Sequence, residues 1–358
     1  MKIAPLMRAF EAEPSLKGIL LHTGQHYDEA MKASFFEQLS IPEPDVDLGV
    51  GSGSHAVQTA EIMRRFEPEL DRLHPGAVLV VGDVNSTIAC GLVAAKNGVP
   101  LIHVEAGLRS GDRRMPEEIN RILTDRISDL LFTTERDAAR NLEREGIDPA
   151  QVHFVGNVMI DTLLYNRPRA SRPADLLAGL SGGEQLLGDK GYGLITLHRP
   201  SNVDEPEVLR GLLSVLRELA AELPLVFPIH PRTCARIEAA GLGDQLDGIL
   251  TLPPVGYLDM LGLMDGARLV LTDSGGIQEE TTALGVPCIT LRENTERPIT
   301  VTEGTNTIVG TDPERIRRAF QAVLAGHGKA GRIPELWDGR AAERIAVALA
   351  AWARGRLG

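Results

Sequence analysis

Three acids occupy places from which they could move protons. Asp83 follows Gly82 at the end of the apolar run Ala77 to Val81, and Glu105 closes the run Val99 to Val104. Glu117 and its neighbour Glu118 open a stretch that carries Arg121. Any one of them could cap a helix. Two acids on neighbouring strand ends, however, would share one crevice, and a carboxylate pair there suits general acid and base work. His198 and His230 also follow apolar runs, each with an arginine within two residues (Arg199, Arg232). A lone histidine at such a place is more often structural, but a pair at equivalent strand ends points to function for at least one.

A second kind of chemistry is written in Ser274, Gly275 and Gly276, followed by Gln278, Glu279 and Glu280. Small residues at a helix start expose N–H groups that favour an anion. An isolated Ser-Gly-Gly is usually a plain turn. The Gln-Glu-Glu that follows changes the weighing, because such side chains can grip the hydroxyls of a sugar or ribose. Arg297, fixed by Pro298, can pair with a phosphate. No His, Cys, Asp or Glu cluster has metal-ligand spacing, and no P-loop or Gly-x-Ser-x-Gly sequence is present.

The composition narrows the partners. With 37 Lys+Arg against 49 Asp+Glu, the net charge of −12 argues against nucleic acid and anionic membrane surfaces. Cys90, Cys234 and Cys288 are far apart and read as reduced core thiols. No segment is apolar and long enough to span a bilayer, and no signal-peptide core is evident, so the cytoplasm is the expected location.

The elements that must position these groups alternate. Strands are predicted at 18–21, 77–81, 99–104, 129–133 and 152–155, with helices over 1–11, 27–39, 54–73 and 135–145. Asn85 or Ser86 is expected to cap the helix running to Asn97. The proline-rich stretch from Ile41 reads as a loop, and Pro168 to Lys190 as a linker. The alternation resumes with strands at 192–197, 225–228, 249–251, 268–272 and 287–290, and with late helices over 313–324 and 341–351. At 358 residues two domains are expected. Strictly alternating elements imply right-handed βαβ units and parallel sheets.

These segments together resemble the non-hydrolysing UDP-N-acetylglucosamine 2-epimerases. The matching runs are TGQH (23–26), VGD (81–83), HVEAGLRSGD (103–112), PEEINR (116–121), GN with ID (156–161), LHRPSN (197–202), TDSGGIQEE (272–280) and TERP (295–298). They cover nearly the whole chain in order. The resemblance implies an α/β, GT-B-like fold: two doubly wound Rossmann-type domains with parallel sheets facing a central cleft. The expected division is 1–168, 169–340 and a C-terminal helix, 341–358, packing back on the first domain.

It further implies interconversion of UDP-GlcNAc and UDP-ManNAc, without cofactor or metal, through anti elimination of UDP. The product would supply cell-surface polysaccharide synthesis. By match to the family's motifs, Asp83, Glu105 and Glu117 are the acid/base candidates, with Arg121 and His198 beside them. Ser274, Gly275 and Gly276 would cradle the diphosphate, and Glu280 would hold the ribose. Gln278, Glu279, His230, Arg297 and Lys2 are further substrate contacts. Gln25 and Arg64 match a regulatory nucleotide-sugar site of some members. A homodimer is expected. Rival readings are a GT-B glycosyltransferase or a weakened nucleotide-sugar binder.

One departure stands out. Family members begin with a strand and an arginine-bearing loop before the helix that here opens at Met1-Lys2-Ile3-Ala4-Pro5-Leu6. The expectation is a first sheet short of one strand, weaker UDP binding and lower stability, with about a dozen upstream residues restoring activity. Pro200-Ser201-Asn202 also replaces a more usual Arg-Glu-Asn after the His-Arg pair.

Overall fold

The computed structural model describes residues 1–24, 36–178, 180, 183, 188 and 190–357. The chain divides into two compact units: Met1–Thr162 with Glu335–Gly358, and Leu163–Pro334.

The first unit opens with α1 (Ile3–Ala12), which buries Ala4, Pro5 and Leu6. β1 (Leu21–His22) pairs in parallel with β2 (Val46–Asp47), a strand inside the stretch expected to be loop. Most of the helix expected over 27–39 lies outside the described residues. α2 (His55–Leu73) starts on Ser54, whose hydroxyl accepts the Val57 N–H at 3.3 Å. β3 (Val78–Val81) leads into α3 (Asn85–Lys96). The expected cap is corrected here: Val84 takes the N-cap position, and the Asn85 side chain instead donates to Gln58 Oε1 at 2.8 Å. β4 (Leu101–Ala106), α4 (Pro116–Ile127), β5 (Leu130–Thr133), α5 (Arg136–Arg144), β6 (Val152–Phe154) and α6 (Val158–Asn166) complete the alternation.

β3, β4, β5 and β6 form one parallel sheet in that order. The β1–β2 pair is a separate ribbon. Between ribbon and sheet lies a cavity of about 1360 Å³, lined by Leu21 and His22 on one side and Val78 to Asp83 on the other, with Lys2 and Leu6 at its margin. The β1–β2 ribbon and the four-stranded sheet are thus separate sheets, with this cavity between them.

In the second unit β7 (Gly193–Thr196) precedes α7 (Pro206–Ala220), which buries Leu209, Leu212, Leu213, Leu216 and Leu219 at helical spacing. Each such leucine contributes about 2 kcal/mol of burial. β8 (Leu225–Pro228), α8 (Pro231–Ala239), β9 (Ile249–Leu252), α9 (Tyr257–Asp265), β10 (Leu269–Thr272), α10 (Gly275–Leu284), β11 (Cys288–Thr290), β12 (Asn306–Ile308) and α11 (Pro313–Leu324) follow. β12 and helices α8 and α9 are additions to the expected elements. β12 is short and begins on a buried polar residue, Asn306, so it carries no apolar run to announce it.

The sheet order is β12-β11-β10-β7-β8-β9, all parallel. That is the doubly wound dinucleotide-fold order, and its direction reverses between β7 and β10, where such folds bind ligands. β7, β8, β10 and β11 are buried throughout, as strands covered by helices on both faces must be.

The chain then returns to the first unit. Trp337 Nε1 donates to the Thr134 carbonyl at 3.1 Å, and α12 (Ala341–Leu357) packs Ala341, Ala342 and Ile345 into the core around Leu6, Ile102 and Phe132. Asp161 caps α12, accepting the N–H groups of Ala341 at 3.1 Å and Ala342 at 2.7 Å. The division at Thr162 falls within α6, ahead of the proline-rich turn, and the returning segment starts at Glu335, ahead of the last helix.

Gly156 makes this return possible. Its φ is +92°, and a Cβ there would sit 2.1 Å from the Leu336 carbonyl oxygen. A Gly156→Ala chain is expected to lose roughly 2–4 kcal/mol in denaturant unfolding of the first unit, from backbone strain and displacement of the returning segment.

Candidate functional site

β4 delivers its acid through an irregularity. The pairing of β4 with β5 shifts register between Val104 and Ala106, and the residue between them, Glu105, has φ +74°. A bulge of this kind re-aims a side chain. Positive φ at a non-glycine residue costs about 1–3 kcal/mol and marks functional places. The Glu105 carboxylate is buried and meets Lys2 Nζ at 2.7 Å to Oε1 and 2.6 Å to Oε2. Lys2 thereby ties the start of α1 to the end of β4.

The neighbouring strand end carries Asp83. Arg121 reaches its Oδ2 through Nε at 2.9 Å and a terminal guanidinium nitrogen at 2.7 Å. The Arg121 guanidinium is also 2.5 Å from Glu118 Oε2, and the Glu118 carboxylate accepts the Ser110 and Gly111 N–H groups at 2.9 Å each. Asn120 donates to the Asp83 carbonyl at 2.9 Å. Glu117, half-buried, has no hydrogen-bond or ion-pair partner among the described residues.

The source of these groups is α4, a helix turned inside out. Its buried residues are Glu118, Asn120, Arg121, Thr124 and Asp125, while Ile119 and Leu123 stand exposed. Pro116 at its first position and two acids in its first turn favour this start. A buried polar face is the informative departure from ordinary burial, and it lies under two strand ends that carry acids. Behind them, buried His103 touches Asp125 at 2.6 Å and the Gly82 carbonyl at 2.8 Å.

In the second unit the groups gather at the switch point. Asp273, after β10, is fully buried and accepts the backbone N–H of His198 at 3.1 Å and of Arg199 at 2.9 Å, with the Asn202 amide at 3.2 Å. His198 Nδ1 is 3.1 Å from the same carboxylate, and its ring is 41% exposed, so the other nitrogen remains available. The His230 ring lies 6.0 Å from it, centroid to centroid, and accepts the Arg232 N–H at the start of α8. Partial burial, then the nearby His198, lowers the His230 pKa.

Ser274 is the N-cap of α10 but offers its side chain to none of the helix's N–H groups, which leaves that terminus open to an anion. Gly275 leaves room for Glu296: a Cβ there would stand 2.5 Å from Glu296 Oε1 and push that carboxylate aside. Around Glu296 lie Arg292 at 2.9 Å and Arg199 at 3.4 Å, while Arg297 meets Glu279 at 2.7 Å. Against the burial that would raise it, the Arg297 and Arg292 guanidinium groups hold the Glu296 carboxyl well below its usual range. Three arginines and two acids thus leave positive charge beside an open helix start. Glu280 takes the Tyr257 hydroxyl at 2.9 Å, and burial pushes its carboxyl up to about 7.

Not every expected residue joins these groups. Gln278 is fully buried, with its carbonyl taken by Thr295 at 2.7 Å and Asn306 at 3.0 Å. Arg64 pairs with Glu61 on the exposed side of α2, and Gln25 lies outside the described residues. Among the described residues no group of three or more His, Cys, Asp or Glu could hold a metal ion, and no helix is long and apolar enough to cross a membrane. Sequence reasoning missed Asp273, Glu118, Asp125 and Glu296 as site-building residues. The inverted pattern of α4 was a signal for two of them.

Comparison with known proteins places this geometry. The family model described as UDP-N-acetylglucosamine 2-epimerase matches residues 8–350. The UDP-N-acetylglucosamine 2-epimerase of Methanococcus maripaludis is 41% identical over 347 residues, 93% of each chain. The UDP-2,3-diacetamido-2,3-dideoxy-D-glucuronate 2-epimerase of Pseudomonas aeruginosa is 41% identical over 327 residues, 90% of this chain and 89% of that one. A crystal structure of the Methanocaldococcus jannaschii UDP-GlcNAc 2-epimerase, in complex with UDP-GlcNAc and UDP, superposes with a TM-score of 0.88 at 40% identity, covering 98% of this chain and 96% of the other.

The raised Glu280 carboxyl has a measurable consequence. Between about pH 4.5 and pH 7 the folded chain keeps a proton that the unfolded chain has released, so Glu280 subtracts up to roughly 3 kcal/mol of stability as pH rises through that window. Denaturant unfolding of wild type and Glu280→Gln across that range should show the slope in the first and its reduction in the second.

Proposed function

We propose a function from one plain premise: the chain belongs to the UDP-N-acetylglucosamine 2-epimerase family. It is an isomerase that inverts C2 of a UDP-linked 2-acetamido sugar, interconverting UDP-GlcNAc and UDP-ManNAc. The observation that carries the reading is the strained delivery of Glu105 beside Asp83, both at strand ends over the polar face of α4. Such strain persists only where the surroundings over-determine it.

The reaction we assign is elimination followed by re-addition. A carboxylate removes the C2 proton, the C1–O bond to the β-phosphate breaks, and UDP leaves with its electron pair. The 2-acetamidoglucal that forms has a C1=C2 double bond. A phosphate oxygen then rebonds to C1 while a second group returns a proton to the other face of C2. Asp83, Glu105 and Glu117 supply these transfers, with Arg121 fixing Asp83 and Lys2 fixing Glu105. In the second unit, the open start of α10 and the arginines around Glu296 suit the charge that develops on departing UDP. His198, braced by Asp273, stands ready as a further donor, and Glu280 with Tyr257 suits the ribose hydroxyls.

The substrate has one competitor. Identity to the relative named for the diacetamido glucuronate equals that to the Methanococcus maripaludis relative named for UDP-GlcNAc, 41% in each case. Both sugars therefore belong in the assay. The product would feed cell-surface polysaccharide synthesis. The free thiols of Cys90, Cys234 and Cys288 support a reducing, cytoplasmic setting. A homodimer is supported by exposed Ile119 and Leu123 on α4, with Val84 before α3 and Val57 on α2 exposed as well.

Incubation with UDP-GlcNAc in deuterated water tests the activity. Formation of UDP-ManNAc carrying deuterium at C2 is the expected result, whereas free ManNAc, a transfer product, or binding without exchange would each replace the reading. Glu105→Gln should lower exchange by at least about 100-fold with its circular dichroism unchanged. Sedimentation should show a dimer that Leu123→Glu dissociates; a wild-type monomer would contradict the dimer.

A further inference from the structure

His103 is a histidine with no route to solvent: it is fully buried in the middle of β4, two residues before Glu105. Both of its nitrogens are engaged. Nε2 lies 2.8 Å from the Gly82 carbonyl oxygen, which can only accept, so Nε2 carries a proton. Nδ1 lies 2.6 Å from Asp125 Oδ1 on α4. The other oxygen of Asp125 already accepts the Gly107 N–H at 3.1 Å and meets the Arg109 guanidinium at 2.7 Å. A carboxylate receiving those two donors is the anion, so Nδ1 carries a proton as well and the ring is an imidazolium.

The consequence is mechanical. The bulge that carries Glu105 lies between His103 and Gly107, and one carboxylate, that of Asp125, holds both ends of it. From the other side of the ring, His103 holds the Gly82 carbonyl, the residue before Asp83. Gly82 N–H in turn donates to the Val104 carbonyl at 3.0 Å, closing the loop between the two strand ends. The charged groups that face this centre are Asp125 and Arg109, Glu105 on its own strand, and Glu145 behind Arg109 at 2.7 Å. Although burial works against the charged ring, Asp125, the Gly82 carbonyl and Glu105 together raise the His103 pKa, while Asp125, despite its own burial, is lowered by His103 and Arg109.

We infer that His103 is a positioning residue, a permanently protonated clamp that, with Asp125, holds the backbones of Asp83 and Glu105 so that both carboxylates are presented together. The inference rests on the acid/base reading given above for those two residues. It separates His103 from an ordinary core histidine, which would need neither charge nor both contacts. No proton passes through it: Nε2 faces a carbonyl that cannot hold a proton and Nδ1 faces a carboxylate held as the anion by Gly107 and Arg109, so its charge stays fixed through the reaction.

The test uses the full chain. His103→Gln should lower the rate of deuterium incorporation at C2 about 100-fold, the scale of a displacement of about 1 Å in reacting groups. KM for the nucleotide sugar should stay within about threefold, because the nucleotide contacts lie elsewhere. Asp125→Asn keeps an acceptor for Gly107 and serves as the second variant; it should lower the same rate about 10-fold or more. In wild-type chain labelled with ¹⁵N-histidine, both His103 nitrogens should carry protons from about pH 6 to about pH 9. A folded His103→Gln chain that exchanges within about twofold of wild type overturns the inference, as does Asp125→Asn doing so where the first variant fails to fold. A bare nitrogen on the His103 ring at about pH 7 also overturns it. Absence of exchange in the wild type defeats the functional reading instead, and the ring signature still decides the charged clamp.

Discussion

The constraint on which the first unit depends is the need to aim a carboxylate from the end of a strand that is buried along its whole length, the acid included. β4 is buried from Leu101 to Ala106, so the direction in which its acid points is set by the backbone that carries it. The chain meets this with a bulge and a left-handed backbone at Glu105, a conformation that would relax unless its neighbours forbade it. The neighbours are Lys2 on the carboxylate, and His103 and Gly107 on either side, both tied to Asp125. α1, β3, β4 and α4 all contribute to this one arrangement, which is why buried polar residues concentrate on α4. A half-satisfied network at this depth would be worse than an apolar core.

The second unit, on the proposed reading, meets a different constraint, that of holding the anionic charge of UDP with backbone and side-chain donors. Its sheet reverses direction between β7 and β10, which opens a crevice at their carboxyl ends. Asp273 at the end of β10 organises the loop after β7 by accepting the N–H groups of His198 and Arg199. The open start of α10 and the guanidinium groups near Glu296 then supply oriented donors whose own charge is largely balanced by buried acids. Balance matters, because unpaired buried arginines would cost more than the site could return.

Much of this was legible in the residues. Alternating apolar runs announced the parallel α/β architecture, and the acids at 83 and 105 could be placed on neighbouring strand ends before any coordinates. What escaped was polar burial. Glu118 beside Glu117 gave no sign of which acid would turn inward; the structure gives the buried place to Glu118, which ties a loop and Arg121, and leaves Glu117 half-open. Asp273 looked like part of a turn and proved to be its organiser. β12 escaped because buried Asn306, not an apolar run, begins it, and its side chain is satisfied by Gln278 and Thr300. Gln278 was expected among the substrate contacts; sequence shows a polar residue there but not Thr295 and Asn306, which take its carbonyl and let it be buried. The register shift at Glu105 had no signal, since bulges arise from pairing partners distant in the chain.

The central claim is that the acids of the first unit take a proton from C2 while UDP departs from C1. Positional isotope exchange reads that departure directly. UDP-GlcNAc labelled with ¹⁸O in the oxygen bridging C1 and the β-phosphate is incubated with the chain, and the label is followed by ³¹P spectroscopy. The account predicts migration of the label into non-bridging positions of the β-phosphate as epimerisation proceeds. Epimerisation with the label retained in the bridge would mean that the C1–O bond never breaks, and would contradict it.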